Sequence, residues 1–162
     1  MTNSFEWRGA FEGAEVGLLH ADSFGSVGDT APETDWQSMV LGHSLGWVTA
    51  RDEDRRLVGF VNVIWDGASH AWLQDVMVSS SARHHGVGTR LVAIARGACT
   101  RAGCAWLHVD FAKNLVPFYV GACGFQPTAA GLIRLDQLDE VDQLDEIDQL
   151  DQVAGFDRFE SP

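Results

Sequence analysis

The sequence of 162 residues predicts a mixed α/β (α+β) fold built around one central β-sheet. The length and the 46% share of hydrophobic residues suit a single domain that can bury a sizeable core. Short apolar segments typical of strands alternate with longer segments of helical periodicity. One strand turns into a helix through the glycines Gly86 and Gly88. Together these observations predict a sheet flanked by helices.

The individual elements follow from periodicity and from turn residues. Val16, Leu19 and Phe24 fall on one face of the first helix, and Thr34 is expected to cap the second. Pro117 is tolerated in the first turn of the last helix. In chain order the sequence predicts strand Ser4–Trp7, helices Ala14–Phe24 and Thr34–His43, strands Trp47–Arg51, Leu57–Trp65 and Trp72–Val78, helix Thr89–Ala98, strand Cys104–Asp110, helix Asn114–Ala122 and strand Leu132–Leu135.

The turn Arg83–Gly88 between a strand and a helix is the most informative motif. Backbone N–H groups at a helix start lack intrahelical acceptors, and the helix dipole favours negative charge there. Gly86 and Gly88 permit unusual φ/ψ and a close approach of ligand, while Arg83 can add charge-assisted hydrogen bonds. The turn indicates a phosphate site, although an ordinary connection would also use glycines here.

Spacing decides which phosphate motif is present. No Lys-Ser/Thr pair completes a P-loop, and the next glycine after Gly88 is Gly97, so G-x-G-x-x-G fails. The pattern Q/R-x-x-G-x-G/A fits, with Val78 before it and Phe118-Tyr119 and Gly124-Phe125 after it. On these residues the sequence resembles the GNAT superfamily of acyl-coenzyme A (CoA) dependent N-acyltransferases.

The resemblance spans Phe5 to Leu135 and implies the GNAT fold, a mixed central sheet of about six to seven strands flanked by about four helices. It also implies acetyl-CoA as co-substrate, with backbone groups of Met77 and Val78 holding the pantetheine arm. Ala112 replaces an asparagine common in relatives, so Asn114 is the candidate for that cofactor contact. The implied pyrophosphate contacts are Arg83, His84, His85, Gly86, Val87, Gly88 and Thr89.

Amide formation from a thioester needs a base for the amine and an acid for the departing thiolate. Tyr119, the only tyrosine, falls where the family's general acid is found, although it could be an aromatic core residue. Asp75 lies where polyamine-acetylating relatives carry an aspartate, and could instead pair with an arginine. His108 shares a strand face with Asp110 and has an ordinary pKa suited to a base, yet could be a core histidine.

Composition argues against several other classes of function. The histidines lack metal-ligand spacing, so no metal is expected. The three cysteines form no C-x-x-C pair and are expected to be reduced thiols. A net charge of −12 without a basic stripe argues against nucleic acid. Without a long apolar run or a signal-peptide pattern, we expect no membrane partner and a cytoplasmic location.

Negative charge is concentrated near the C-terminus. Residues 136–162 hold ten acidic residues against Arg158, a charge of −9 that leaves −3 for residues 1–135. Their three-residue repeat of an apolar residue, Asp and Gln or Glu matches neither a coiled coil nor an α-helix. We therefore predict a GNAT acyltransferase domain over 1–135 and an acidic tail over 136–162. The tail is either loosely ordered or packed on the body or a neighbouring subunit.

The predicted function is N-acetyl transfer from acetyl-CoA to a primary amine of a small molecule. The alternatives are a catalytically silent CoA-binding or protein-interaction module, and a protein N-terminal or lysine acetyltransferase. The sequence leaves open the acceptor amine, the acyl-chain preference and the oligomeric state, for which a homodimer is one option.

Overall fold

The structure, a computed structural model, describes residues 3–25, 34–133 and 135. The chain divides into two units, Met1–Gln126 and Pro127–Pro162, and the helices and strands lie in the first. In chain order they are β1 (Ser4–Trp7), α1 (Gly13–Phe24), α2 (Trp36–His43), β2 (Ser44–Arg51), β3 (Leu57–Trp65), β4 (His70–Val78), a 3₁₀ turn (Ser80–Ala82), α3 (Val87–Arg101), β5 (Trp106–Val109), a second 3₁₀ turn (Lys113–Leu115) and a π-helical segment (Pro117–Ala122).

Five strands form one mixed sheet in the order β1-β2-β3-β4-β5. The pairs β1–β2, β2–β3 and β3–β4 are antiparallel. The pair β4–β5 is parallel and is connected through α3, as a parallel pair requires. Pairing of β4 with β5 runs only from His70 opposite Trp106 to Leu73 opposite Val109. The second half of β4 therefore leaves its β5-facing edge unpaired by that strand.

Helices cover both faces of the sheet. Side chains of α3, including Leu91, pack with Val61 of β3 in the larger core cluster. Side chains of α1 and α2, including Val16 and Val40, pack with Phe60 in a second cluster. Phe60 and Val61 are adjacent in β3 and both fully buried, because successive strand residues point to opposite faces. None of the helices in the described residues is long and apolar enough to cross a membrane.

The predicted fold class is confirmed, but the strand count is a correction. The sheet has five strands rather than six to seven within the described residues. Leu132 and Ile133, predicted to belong to a last strand, lie in no strand and are 95% and 66% exposed. An apolar segment gains stability as a strand mainly by burying its side chains, and these are not buried. The predicted tail, 136–162, lies outside the described residues, and the domain boundary at 135 stays a prediction.

Three local predictions are also corrected. Asp35, not Thr34, caps α2, because its carboxylate accepts the Ser38 N–H at 3.0 Å. The predicted helix over 114–122 divides into the second 3₁₀ turn and the π-helical segment. The predicted strand over 104–110 is shorter, Trp106–Val109, because Cys104 is hydrogen-bonded back to the last turn of α3. Its N–H donates to the Cys99 carbonyl at 3.0 Å.

Candidate active site

A cleft of about 890 Å³ lies where β4 and β5 separate. Its walls combine the second half of β4, the turn after it, the start of α3, the chain after β5 and the end of α1. The π-helical segment completes the wall. Side chains and backbone of these elements that line the cleft include Ser23, Phe24, Gln74, Asp75, Val78, Arg83, His84, Gly86, Val87, Gly88, Thr89, Asp110, Phe111, Asn114, Phe118 and Tyr119.

The start of α3 has the geometry of an anion site. The first intrahelical hydrogen bond runs from the Arg90 N–H to the Gly86 carbonyl at 3.0 Å, so the N–H groups of the three preceding residues are left over by the helix. Gly86 precedes the helix with φ of 77°, a left-handed conformation that glycine adopts without strain. These N–H groups and the positive end of the helix dipole favour a phosphate at this position.

Gly88 is required for close packing inside the first turn of α3. A Cβ atom at Gly88 would lie 3.1 Å from Cζ and 3.2 Å from Cε2 of Phe118. Phe118 in turn contacts Tyr119, with ring centroids 4.7 Å apart. The small size of Gly88 therefore lets the phosphate turn approach the π-helical segment, and the two walls of the cleft meet here.

Arg83 holds the turn to two neighbouring elements. Its Nε donates to the Val78 carbonyl at 3.1 Å, and its Nη2 donates to the carbonyls of Asp22 and Ser23, both at 3.3 Å. His85 donates through Nδ1 to the Arg83 carbonyl at 2.6 Å, and His84 has a φ of 63°. At least two guanidinium nitrogens of Arg83 are thus engaged with backbone oxygens of the protein.

Asp75 occupies an irregular position in β4. Met77 pairs with Phe60 and Gln74 pairs with Asn62, so two residues of β4 oppose Val61 alone, which is a β-bulge. Asp75 has a φ of 51°, a left-handed conformation that is uncommon outside glycine. Burial raises the pKa of the Asp75 carboxyl, and nearby His20 partly offsets that rise. A strained, half-buried carboxylate in a cleft is a candidate functional group.

Tyr119 lies in the wall of the cleft among aromatic rings. Its ring stacks on Phe111 at 4.7 Å and meets Phe125 edge-on at 5.9 Å, and the residue is 5% exposed. Burial raises the pKa of the Tyr119 hydroxyl to about 12, with a smaller contribution from Cys123. The phenol is therefore protonated at neutral pH and able to donate.

The structure brings together most of the predicted site residues but not all of them. Met77, His85 and His108 do not line the cleft. Met77 is fully buried in the core cluster under α1 and α2. His108 shares a 2.8 Å hydrogen bond with His70 and stacks on Trp72, so its imidazole is engaged within the sheet. The roles proposed for these residues stay predictions.

Some cleft residues were not predicted from the sequence. Ser23 and Phe24 enter the wall from α1, and Phe111 and Phe118 enter from the chain after β5. Neither the spacing nor the residue type of Ser23 and Phe24 signals a site, since they are the last residues of an ordinary amphipathic helix. Phe118 adjoins Tyr119, and that adjacency was a usable signal. In the described residues no three His, Cys, Asp or Glu side chains gather where they could hold a metal.

A match to a family model indicates a transferase of the acyltransferase kind. The family described as Acetyltransferase (GNAT) matches residues 14–125, more than half of the chain. The chain therefore belongs to the GNAT acetyltransferase family, and the resemblance inferred from the turn 83–88 and its neighbours is confirmed. This family uses acetyl-CoA. A sequence search of curated proteins finds no match.

Solved structures share this fold. A GNAT-family acetyltransferase from Streptococcus pneumoniae is 25% identical, with a TM-score of 0.65, covering 85% of this chain and 100% of that one. Glucosamine-6-phosphate N-acetyltransferase from Arabidopsis thaliana is 16% identical, with a TM-score of 0.62 and coverages of 81% and 97%. AAC(6')-Iy, in complex with the bisubstrate analogue CoA-S-monomethyl-acetylneamine, is 17% identical, with a TM-score of 0.67 and coverages of 85% and 100%. The last two likenesses concern the fold alone.

Proposed function

We propose that this protein is an N-acetyltransferase that moves the acetyl group of acetyl-CoA to the primary amine of a small molecule. The observation that carries the proposal is a single cleft lined by the start of α3, by Asp75 and by Tyr119. It combines a site for the phosphates of the donor with a carboxylate and a phenol. These are the groups that acyl transfer to an amine requires.

Binding of the donor is supported by the shape of the turn and of the sheet edge. Gly86 lines the cleft, and a Cβ atom there would meet nothing within 4 Å, so the turn is open on that side. The backbone of Val87, Gly88 and Thr89 would hold the pyrophosphate, with Asn114 as a further cleft contact. The pantetheine arm would lie along the edge of β4 after Leu73, where pairing with β5 has ended.

In the proposed reaction the amine nitrogen attacks the thioester carbonyl carbon, a C–N bond forms and the C–S bond breaks. Asp75 accepts the proton that the amine must lose, and its raised pKa makes it a stronger base than an ordinary aspartate. Tyr119 donates its hydroxyl proton to the departing sulfur. We favour Asp75 over His108 as the base because Asp75 lines the cleft and His108 does not.

The test is free-thiol release from acetyl-CoA in the presence of amino acids, polyamines, aminoglycosides and peptides. We expect amine-dependent release by the wild type. Tyr119→Phe, which removes only the hydroxyl, should lower kcat by roughly 10²- to 10⁴-fold. CoA binding by calorimetry serves as the control for folding and should be unchanged in the variant.

Two results would count against this proposal. If the wild type binds CoA but no amine in the panel causes release of thiol, the protein is a catalytically silent CoA-binding module. If Tyr119→Phe retains the wild-type kcat, Tyr119 is not the general acid. Release with peptides alone would instead indicate a protein acetyltransferase.

A further inference from the structure

Hydrogen bonds join residues 80–83, which lead into the phosphate-site turn 83–88, to the end of α1, which lies far away in sequence. The Ser80 N–H donates to the Asp22 carboxylate at 2.8 Å, across 58 residues of chain. At the other end of residues 80–83, Arg83 donates to the carbonyls of Asp22 and Ser23. Three hydrogen bonds therefore fasten both ends of residues 80–83 to the last turn of α1.

The two partners are matched chemically. Carbonyl groups in the last turn of a helix lack intrahelical donors, and a cation is favoured there by the helix dipole. Arg83 supplies both the donors and the charge. The Ser80 N–H, and then its hydroxyl, hold the pKa of the Asp22 carboxyl below its usual range, so Asp22 is ionised at neutral pH and accepts. The side chains of Val16 and Leu19 are buried in the core, so α1 is held in place by packing.

We propose that Asp22 is a positioning residue for the phosphate-binding turn, holding residues 80–83 against α1 so that the start of α3 is pre-organised for the pyrophosphate of CoA. Asp22 acts through Ser80 and Arg83 and does not contact the donor. This inference rests on the proposed function. It also assigns Arg83 a second task, which is to hold the turn as well as to supply positive charge near it.

Charge and positioning predict opposite effects at Asp22. A carboxylate close to an anion site repels the anion, so its removal should strengthen CoA binding if charge alone matters. If Asp22 instead holds the turn, its removal should weaken binding. Asp22→Asn deletes the charge and keeps an amide oxygen that can accept the Ser80 N–H. Asp22→Ala deletes both, so the two variants separate the two effects.

The experiment is isothermal calorimetry of the full chain with CoA as the probe. We expect Asp22→Ala to raise the Kd for CoA by roughly 3- to 10-fold, the scale of one or two hydrogen bonds, and Asp22→Asn to stay within about twofold of the wild type. In the thiol-release assay, Asp22→Ala should raise the KM for acetyl-CoA and leave kcat at saturation unchanged. Asp66→Ala is the matched control, because Asp66 is another exposed aspartate that accepts backbone N–H groups, from Ala68 and His70.

Arg83→Lys adds a second test that does not alter Asp22. Lysine keeps the positive charge but cannot reproduce the fork that reaches Val78 and α1. We expect Arg83→Lys to raise the Kd for CoA to a similar extent. A Kd for Asp22→Ala equal to or below that of the wild type overturns the inference, as does wild-type affinity in Arg83→Lys. Failure of the wild type to bind CoA would contradict the proposed function instead.

Discussion

Asp75 is the residue at which an effect on stability and the proposed role as a base can be distinguished most clearly. Its carboxyl is half-buried in the cleft, and burial raises its pKa above the ordinary 3.8. A base is active only when ionised, so kcat/KM should rise with pH through this raised pKa and reach a plateau above it. The same raised pKa means that the native state holds its proton more tightly than the unfolded state does. Ionised Asp75 therefore lowers stability as pH rises through the acid range.

We predict that Asp75→Asn lowers kcat/KM by roughly 10²- to 10⁴-fold and removes the acidic limb of its pH profile. At neutral pH the variant should unfold at an equal or higher temperature, because a carboxylate disfavoured by burial is gone. The measurements are a pH–rate profile and thermal unfolding, with Asp54→Asn as an exposed control. Unchanged kcat/KM with an unchanged pH profile would show that Asp75 is neither base nor amine anchor.

At the residue level, the sequence identifies groups that belong to a local motif and misses groups that only tertiary structure brings in. Gly86 was predicted from the motif of the turn and Tyr119 from the family resemblance, and both line the cleft. Asp22 reaches Ser80 across 58 residues, and no local pattern records that contact. His108 was suggested by alternation along its strand, but alternation cannot show that its imidazole bonds to His70.

α3 offers an element-level comparison of two glycines in one helix. Alanine is favoured over glycine inside a helix by about 1 kcal/mol. A Cβ atom at Gly97 would meet only the Arg101 guanidinium, at an ordinary 3.5 Å. A Cβ atom at Gly88 would press on the Phe118 ring at 3.1 Å, and overpacking of this kind typically costs about 1–3 kcal/mol. The same substitution should therefore have different effects at the two ends of the helix.

We predict that Gly97→Ala raises the free energy of unfolding by about 1 kcal/mol and leaves thiol release unchanged. Gly88→Ala should lose that gain and, by displacing Phe118 and its neighbour Tyr119, lower kcat/KM at least about fivefold. Urea unfolding and thiol release with acetyl-CoA check both variants. Equal stability and activity in the two variants would show that the contact between α3 and the π-helical segment is not tight.

Helices and strands were predicted well where an apolar periodicity is sustained over many residues, and poorly where a few residues determine where an element begins or ends. β3 has the predicted bounds, and α1 differs by one residue, because both carry long apolar patterns. The start of β5 was wrong because Gly103, with a φ of 89°, ends α3 and draws Cys104 back towards Cys99. The last predicted strand, 132–135, was wrong because three apolar residues and Arg134 are too short a pattern to determine whether a partner strand will cover them.

On the scale of the whole molecule, most of the net negative charge and the residues of the cleft lie in different parts of the chain. The residues that line the cleft run from Ser23 to Tyr119, within the unit Met1–Gln126. Residues 136–162 carry a charge of −9 out of the total −12. Because CoA is itself an anion, a strongly acidic segment should slow its association through long-range repulsion. Salt screens such repulsion, with a Debye length of about 8 Å at physiological ionic strength.

We therefore predict that deletion of residues 136–162 leaves kcat/KM for acetyl-CoA within about twofold of the full chain at 0.15 M salt, where repulsion is screened. At about 0.01 M salt the truncated chain should have a higher kcat/KM for acetyl-CoA than the full chain. A full-length variant with the ten acidic residues of this segment changed to Asn and Gln is the matched control, and should show the same low-salt gain. A large loss of kcat/KM on truncation at 0.15 M salt would mean that the segment contributes to the active site. In that case the charge-neutralised variant would show which residues matter. Wild-type kcat/KM in that variant would assign the role to the apolar residues of the segment, since only the truncation removes them.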